Sequence, residues 1–155
     1  MNLPDVINGS EQPTLWSDEI GALSRFYHAF NQRDLALMQQ NWTQSTEASM
    51  SNPLGGVMRG WVGIEQVYRR LFTGTARVYV EYYDFTVHTT ANMFIAVGRE
   101  RGWLQHGDER VELAIRTSRI FRKDNGLWCQ LHHHGSMDDP ALLAHYQSTV
   151  RSGKS

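Results

Sequence analysis

At Arg77 the hydrophobic period of this chain changes. Before that point apolar residues recur every three to four positions; from there to Ser136 they alternate. One kind of element cannot carry both periods, so helices must come first and strands after. Upstream, Ser17 and the acids of "DEI" form a capped start, with the acids near the positive end of the helix dipole. Ile20, Leu23, Phe26, Tyr27 and Phe30 then follow at helical spacing and predict a helix to about Asn31. Asp34 caps a short second helix through Leu35 and Met38 to Trp42. "SNPLGG" (51–56) is a loop by its Pro and Gly content, and "VGIEQVYRRLF" is a third helix, with Ile64, Val67, Tyr68, Leu71 and Phe72 on one side. Downstream, 77–89, 93–105, 109–123 and 127–136 read as four strands rich in Val, Ile, Tyr, Phe and Trp, with turns at Gly107 and "KDNG" (123–126). "DDP" (138–140) opens a last helix with a cap and a first-turn proline. Helices followed by an antiparallel meander predict an α+β fold with helices on one face of the sheet.

The 155 residues suit one domain, read as 16–150 behind a loose arm at 1–15 that carries Pro4 and Pro13. A net charge of −1 without a basic run gives no electrostatic grip on nucleic acid or an anionic membrane, and neither is expected as a partner. No apolar stretch is long enough to span a bilayer, and the first fifteen residues lack the regions of a signal peptide. Cys129 is the only cysteine, which excludes an internal disulfide and fits a reducing cytoplasm, the expected location.

Alternation divides the middle hairpin into two faces. Ile95, Val97, Trp103, Val111, Leu113, Ile115 and Phe121 make one of them apolar, and Arg99 and Arg119 share its parity if a three-residue turn at His106–Asp108 pairs Gln105 with Glu109. A two-residue turn breaks that match. Charges on an apolar face are costly unless paired or wet. Two readings follow: arginines waiting in a cavity for a carboxylate, or side chains that reach the sheet edge or an acid on the helices. In the first reading Arg119→Gln leaves the protein folded. The opposite face collects Phe94, Ala96, Gly98, Glu100, Glu112, Ala114, Arg116, Ser118 and Ile120. Its small residues suit packing between subunits through Ala96, Gly98, Ala114 and Ser118, or a plain solvated surface.

The order of elements and the ending "GLWCQLHHHGS" resemble the nuclear transport factor two-like superfamily, the cone fold of SnoaL-like proteins and ketosteroid isomerases. Within it, "IAVGR" (95–99), "TSRIF" (117–121), "NGLW" (125–128) and "LHHHGS" (131–136) are similar in content and spacing to the association domain of calcium/calmodulin-dependent protein kinase two. The likeness implies a strongly curved sheet forming a cone with an internal pocket, and a pairing of subunits. It implies that Arg99 and Arg119 line that pocket, as their counterparts do around small carboxylates. A third pocket arginine of that domain falls on Gly135, and its pocket histidine and tryptophan fall near Ile64 and Phe72. The resemblance therefore points to a more apolar ligand.

On a strand His132 and His134 share one face and His133 takes the other, so three imidazoles cannot converge on one metal. No metal or cofactor is expected. Carried through Gly135, pocket parity falls on His133; a β-bulge near the strand end would swap the assignment. The expected site is Arg99, Arg119, His133, Tyr27 and Phe72 for a small, partly apolar carboxylate or carbonyl compound. The alternatives are an isomerase, cyclase or dehydratase using His133 or Asp84 as base, and a dimeric assembly domain.

Overall fold

A computed structural model describes residues 3–11 and 18–152. The elements run β1 (Val6–Ile7), α1 (Glu19–Asn31), α2 (Leu35–Asn41), β2 (Ser49–Ser51), β3 (Met58–Arg59), α3 (Trp61–Thr73), β4 (Arg77–Thr89), β5 (Met93–His106), β6 (Glu109–Asp124), β7 (Leu127–Ser136) and α4 (Pro140–Ser152). Among the described residues four helices pack on one curved, unclosed, mixed sheet of order β1-β4-β5-β6-β7-β2-β3, in which β2 runs parallel to β7. Ser17 lies outside the described residues; α1 is capped by Asp18, whose carboxylate accepts from Gly21 N–H at 2.6 Å. Asp34 caps α2 in the same way, and Asp139 accepts from Ala141 N–H at the start of α4. Residues read as a loose arm are in part pinned: Val6 and Ile7 pair with Tyr83 and Tyr82, and Ile7 is fully buried.

Arg33 fixes the end of α3. Its backbone adopts φ 56°, and its guanidinium donates to the carbonyls of Leu71, Phe72 and Gly74, at 2.9–3.2 Å to Leu71 and Gly74. A cation on the negative end of the helix dipole both satisfies orphan carbonyls and orients α3 over the sheet.

The turn between β5 and β6 corrects the sequence reading. His106 pairs with Glu109, so the loop is the two residues Gly107–Asp108, with Gly107 at φ 62°. A single positive φ at the first loop position matches the mirror-image turn that suits the twist of a hairpin. Compared with a three-residue turn, the parity of β5 inverts relative to β6. Phe94, Ala96, Glu100 and Leu104 face the core with Val111, Leu113, Ile115, Thr117, Arg119 and Phe121, whereas Ile95, Val97 and Arg99 face out. Ala96 and Gly98 therefore do not share an outer surface with Ala114 and Ser118. Phe85 covers Gly98, where a Cβ would lie 2.5 Å from the Phe85 Cβ.

Candidate functional site

The core side of the cone carries a connected polar network. Arg119, 2% exposed, donates to Glu100 Oε2 at 2.9 Å, to Gln130 Oε1 at 2.8 Å and to the Tyr27 hydroxyl at 3.2 Å. Its guanidinium lies over the Phe26 ring, 3.6 Å from the centroid. Glu100 also accepts from the Tyr27 hydroxyl at 2.6 Å and from Thr117 Oγ1 at 3.0 Å. Gln130 continues the chain by donating to Asn41, which donates to the Ala22 carbonyl and ties the network to α1. Burial alone would weaken the hold of Arg119 on its proton, but Tyr27 and Glu100 outweigh it and raise the pKa. Burial first, opposed by Arg119, likewise pushes the Tyr27 phenol well above its usual range. Arg119 and Glu100 thus form a buried ion pair within the network.

A cavity of about 50 Å³ opens against this network, walled by Phe26, Tyr68, Leu113, Ile115, His133 and Tyr146, with Glu100 and Arg119 on its floor. His133 reaches it because of a bulge. Phe121 pairs with Gln130 and Ile120 with His132, which leaves Leu131 extra; Gln130 and His133 therefore both point inward. His133 is 6% exposed, and neither ring nitrogen has a protein partner among the described residues. A Cβ at Gly135 would stand 3.1 Å from His133 Nε2 and 3.3 Å from Pro53 Cδ, so any side chain there would crowd the ring. Burial, then the charge of Arg119, then His132 and His134, depress the His133 pKa well below the ordinary imidazole value. His132 lies on the opposite side of the strand with its Nδ1 2.7 Å from Ser49 Oγ, and His134 is exposed. Among the described residues no group of three or more His, Cys, Asp or Glu could hold a metal ion.

The remaining sequence candidates lie elsewhere. Arg99 is on the outer face, where it holds Asp84 at 3.0 Å with both side chains more than 60% exposed. Asp84 sits in a bulge of β4 at φ 48°. Neither reaches the cavity, so the two arginines do not form an anion fork. Tyr27 lies behind the wall as a link in the network, and Phe72 packs on Phe30 and Tyr68 away from the inner cavity. Sequence reasoning missed Glu100, the acid that neutralises Arg119, along with Tyr68 and Tyr146 on the wall. The pair Gly107–Asp108 was the signal for Glu100, because two-residue loops of that composition specify a tight hairpin.

The family model of the SnoaL-like domain matches residues 21–140. The chain belongs to the SnoaL-like domain family. Solved structures agree in fold. One is a nuclear transport factor 2-like superfamily protein from Salmonella enterica serovar Typhimurium, 22% identical, with a TM-score of 0.69, covering 81% of this chain and 92% of that one. Another, from Streptomyces avermitilis, is assigned as a dehydratase of the same family; it is 20% identical over 81% of this chain and 97% of that one, with a TM-score of 0.67. A third, from Thiobacillus denitrificans, is assigned as a calcium/calmodulin-dependent protein kinase type II association domain, at 24% identity, 78% and 95% coverage and a TM-score of 0.63. No curated protein matches the sequence. These likenesses show the SnoaL-like cone and leave its occupant to be argued from the cavity. Among the described residues no helix is long and apolar enough to cross a membrane.

Proposed function

We propose that this SnoaL-like protein binds a small, largely apolar compound through an uncharged carbonyl or hydroxyl set against His133. The observation that carries this reading is the His133 imidazole, buried at the cavity wall with both nitrogens unclaimed by protein. A buried polar group without a partner is destabilising, and a ligand group that completes its hydrogen bonds removes that penalty. The charge balance favours a neutral inner group. Glu100 already neutralises Arg119, so a carboxylate at the cavity floor would meet no unpaired cation.

The same features weigh against proton abstraction. A general base works best with a pKa near the operating pH, and burial with Arg119 holds that of His133 well below it. Asp84 is outside the cone, and Glu100 is engaged by Tyr27, Thr117 and Arg119. Calorimetric titration with 2-octanone provides the test. One hydrogen bond of ordinary net strength corresponds to about tenfold in affinity, so His133→Leu is expected to bind the ketone about tenfold more weakly than wild type. Equal affinities for the two proteins would sink this reading.

For assembly, the corrected parity moves the pairing surface. We infer a homodimer through the outer face of β5 and β6, where Ile95 and Val97 are 38% and 44% exposed beside Ile120 and Ser118. Val97→Glu is expected to convert the dimer to monomer in light scattering; a wild-type monomer at high micromolar concentration would remove the inference.

A further inference from the structure

The inner cavity adjoins a larger cleft at the open end of the cone. The two share Asn52, Leu54, Val67 and Leu71 in their walls, and the outer cleft measures about 220 Å³. Its floor is apolar, with Leu54, Met58, Val67, Leu71 and Val150. Its rim carries two arginines brought from different helices, Arg70 on α3 and Arg151 on α4, and among the described residues no acid lines it. Arg99, Arg101, Arg110 and Arg116 each hold a carboxylate within 3.0 Å, whereas Arg70 and Arg151 have no ion-pair partner among the described residues; the exposed Arg59 and Arg77 also lack one, but neither lines the cleft. The charges that the sequence placed inside the cone thus have counterparts at its mouth, in a cleft whose floor would take an apolar chain.

We propose that the natural ligand is an anionic amphiphile, with a carboxylate held at the mouth by Arg70 and Arg151 and an apolar body running inward along the Val67–Leu71 side of α3. The proposal deepens the binding reading, and rests on it only for the polar inner end beside His133. An inner cavity of 50 Å³ accepts the tip of such a molecule and the outer cleft accepts most of its length. Planar guanidinium forks suit a carboxylate, and because both arginines are exposed the attraction should weaken as salt rises.

Octanoate and octanamide, alike in length and differing in charge, are the probes. At low ionic strength wild type is expected to bind octanoate about tenfold more tightly than octanamide, the scale of one charge-assisted contact. Arg70→Gln/Arg151→Gln, both changes lying on exposed positions, is expected to erase that preference while leaving octanamide affinity and the far-ultraviolet circular dichroism spectrum unchanged. A wild type that binds the two probes equally, or binds neither, overturns the proposal, as does a double variant that keeps the preference. Octanoate has no polar group at its inner end, so His133→Leu should not alter the preference. Failure of the ketone test with an intact octanoate preference would remove the His133 reading alone.

Discussion

Glu100→Gln should destabilise the protein by about 3–5 kcal/mol, because it leaves the Arg119 cation buried without its counter-charge. With its one oxygen kept toward Tyr27 and Arg119, the amide turns its NH2 to Thr117 Oγ1, which can accept, so shape is kept and the loss is chiefly that of the charge. Arg119 cannot relax toward water, since it is 2% exposed, stacked on Phe26 and held by Gln130 and Tyr27. Removing both charges, with Glu100→Gln and Arg119→Met, should recover much of the loss, as apolar replacement of a whole buried pair often does. The structure also reverses the expectation that Arg119→Gln is benign, because that change strands Glu100. Urea unfolding of the four proteins at one pH, with unchanged slopes, is the measurement. A loss below about 1 kcal/mol for Glu100→Gln would mean that the pair is hydrated and the cavity floor wet.

His133→Leu should act in the opposite direction and stabilise the ligand-free protein by about 1–3 kcal/mol, the penalty of a buried polar ring without partners. Acid should widen the difference. The folded pKa of His133 lies well below 6.5, so from about pH 6.5 downward the unfolded imidazole takes a proton that the folded one refuses. The stability present above that pH is lost as pH falls, by up to about 1.4 kcal/mol per unit, until the folded pKa is reached. Leucine has no such share. Reversible unfolding at pH 7.5, 6.0 and 5.0 checks both sign and trend; a variant less stable than wild type at every pH would show the ring to be satisfied in the core. A change that strengthens the fold while weakening ketone binding is the pattern expected of a residue kept for its ligand.

The elements were legible because they are long and periodic. The limits 77–89 and 127–136 coincide with β4 and β7, and three of the four helices begin at acidic caps read directly by the backbone. The short strands β1, β2 and β3, two or three residues each, carry no period and exist through pairing with distant partners. Register is where local reasoning failed. One residue of loop length decides whether Arg119 meets Arg99 or Glu100 on its face of the sheet, and every inference about an inner anion site depended on it. The inward direction of His133 also involves pairing, since the bulge at Leu131 changes parity halfway along β7.

The parallel pairing of β2 with β7 has a consequence for the order in which the chain can fold. Ser49 and His132, which meet across that seam, are 83 residues apart. β1 likewise waits for β4, so a chain emerging from a ribosome can form α1, α2 and α3 but, of the sheet that covers them, only the short β2–β3 pair. The β4–β7 meander closes by successive local hairpins; the N-terminal half then docks onto both of its edges, at a loop-closure cost met only late. Early release from the ribosome would therefore leave an unpaired edge on β7 and an open apolar interior, the kind of intermediate that chaperones recognise and that aggregates when they are scarce.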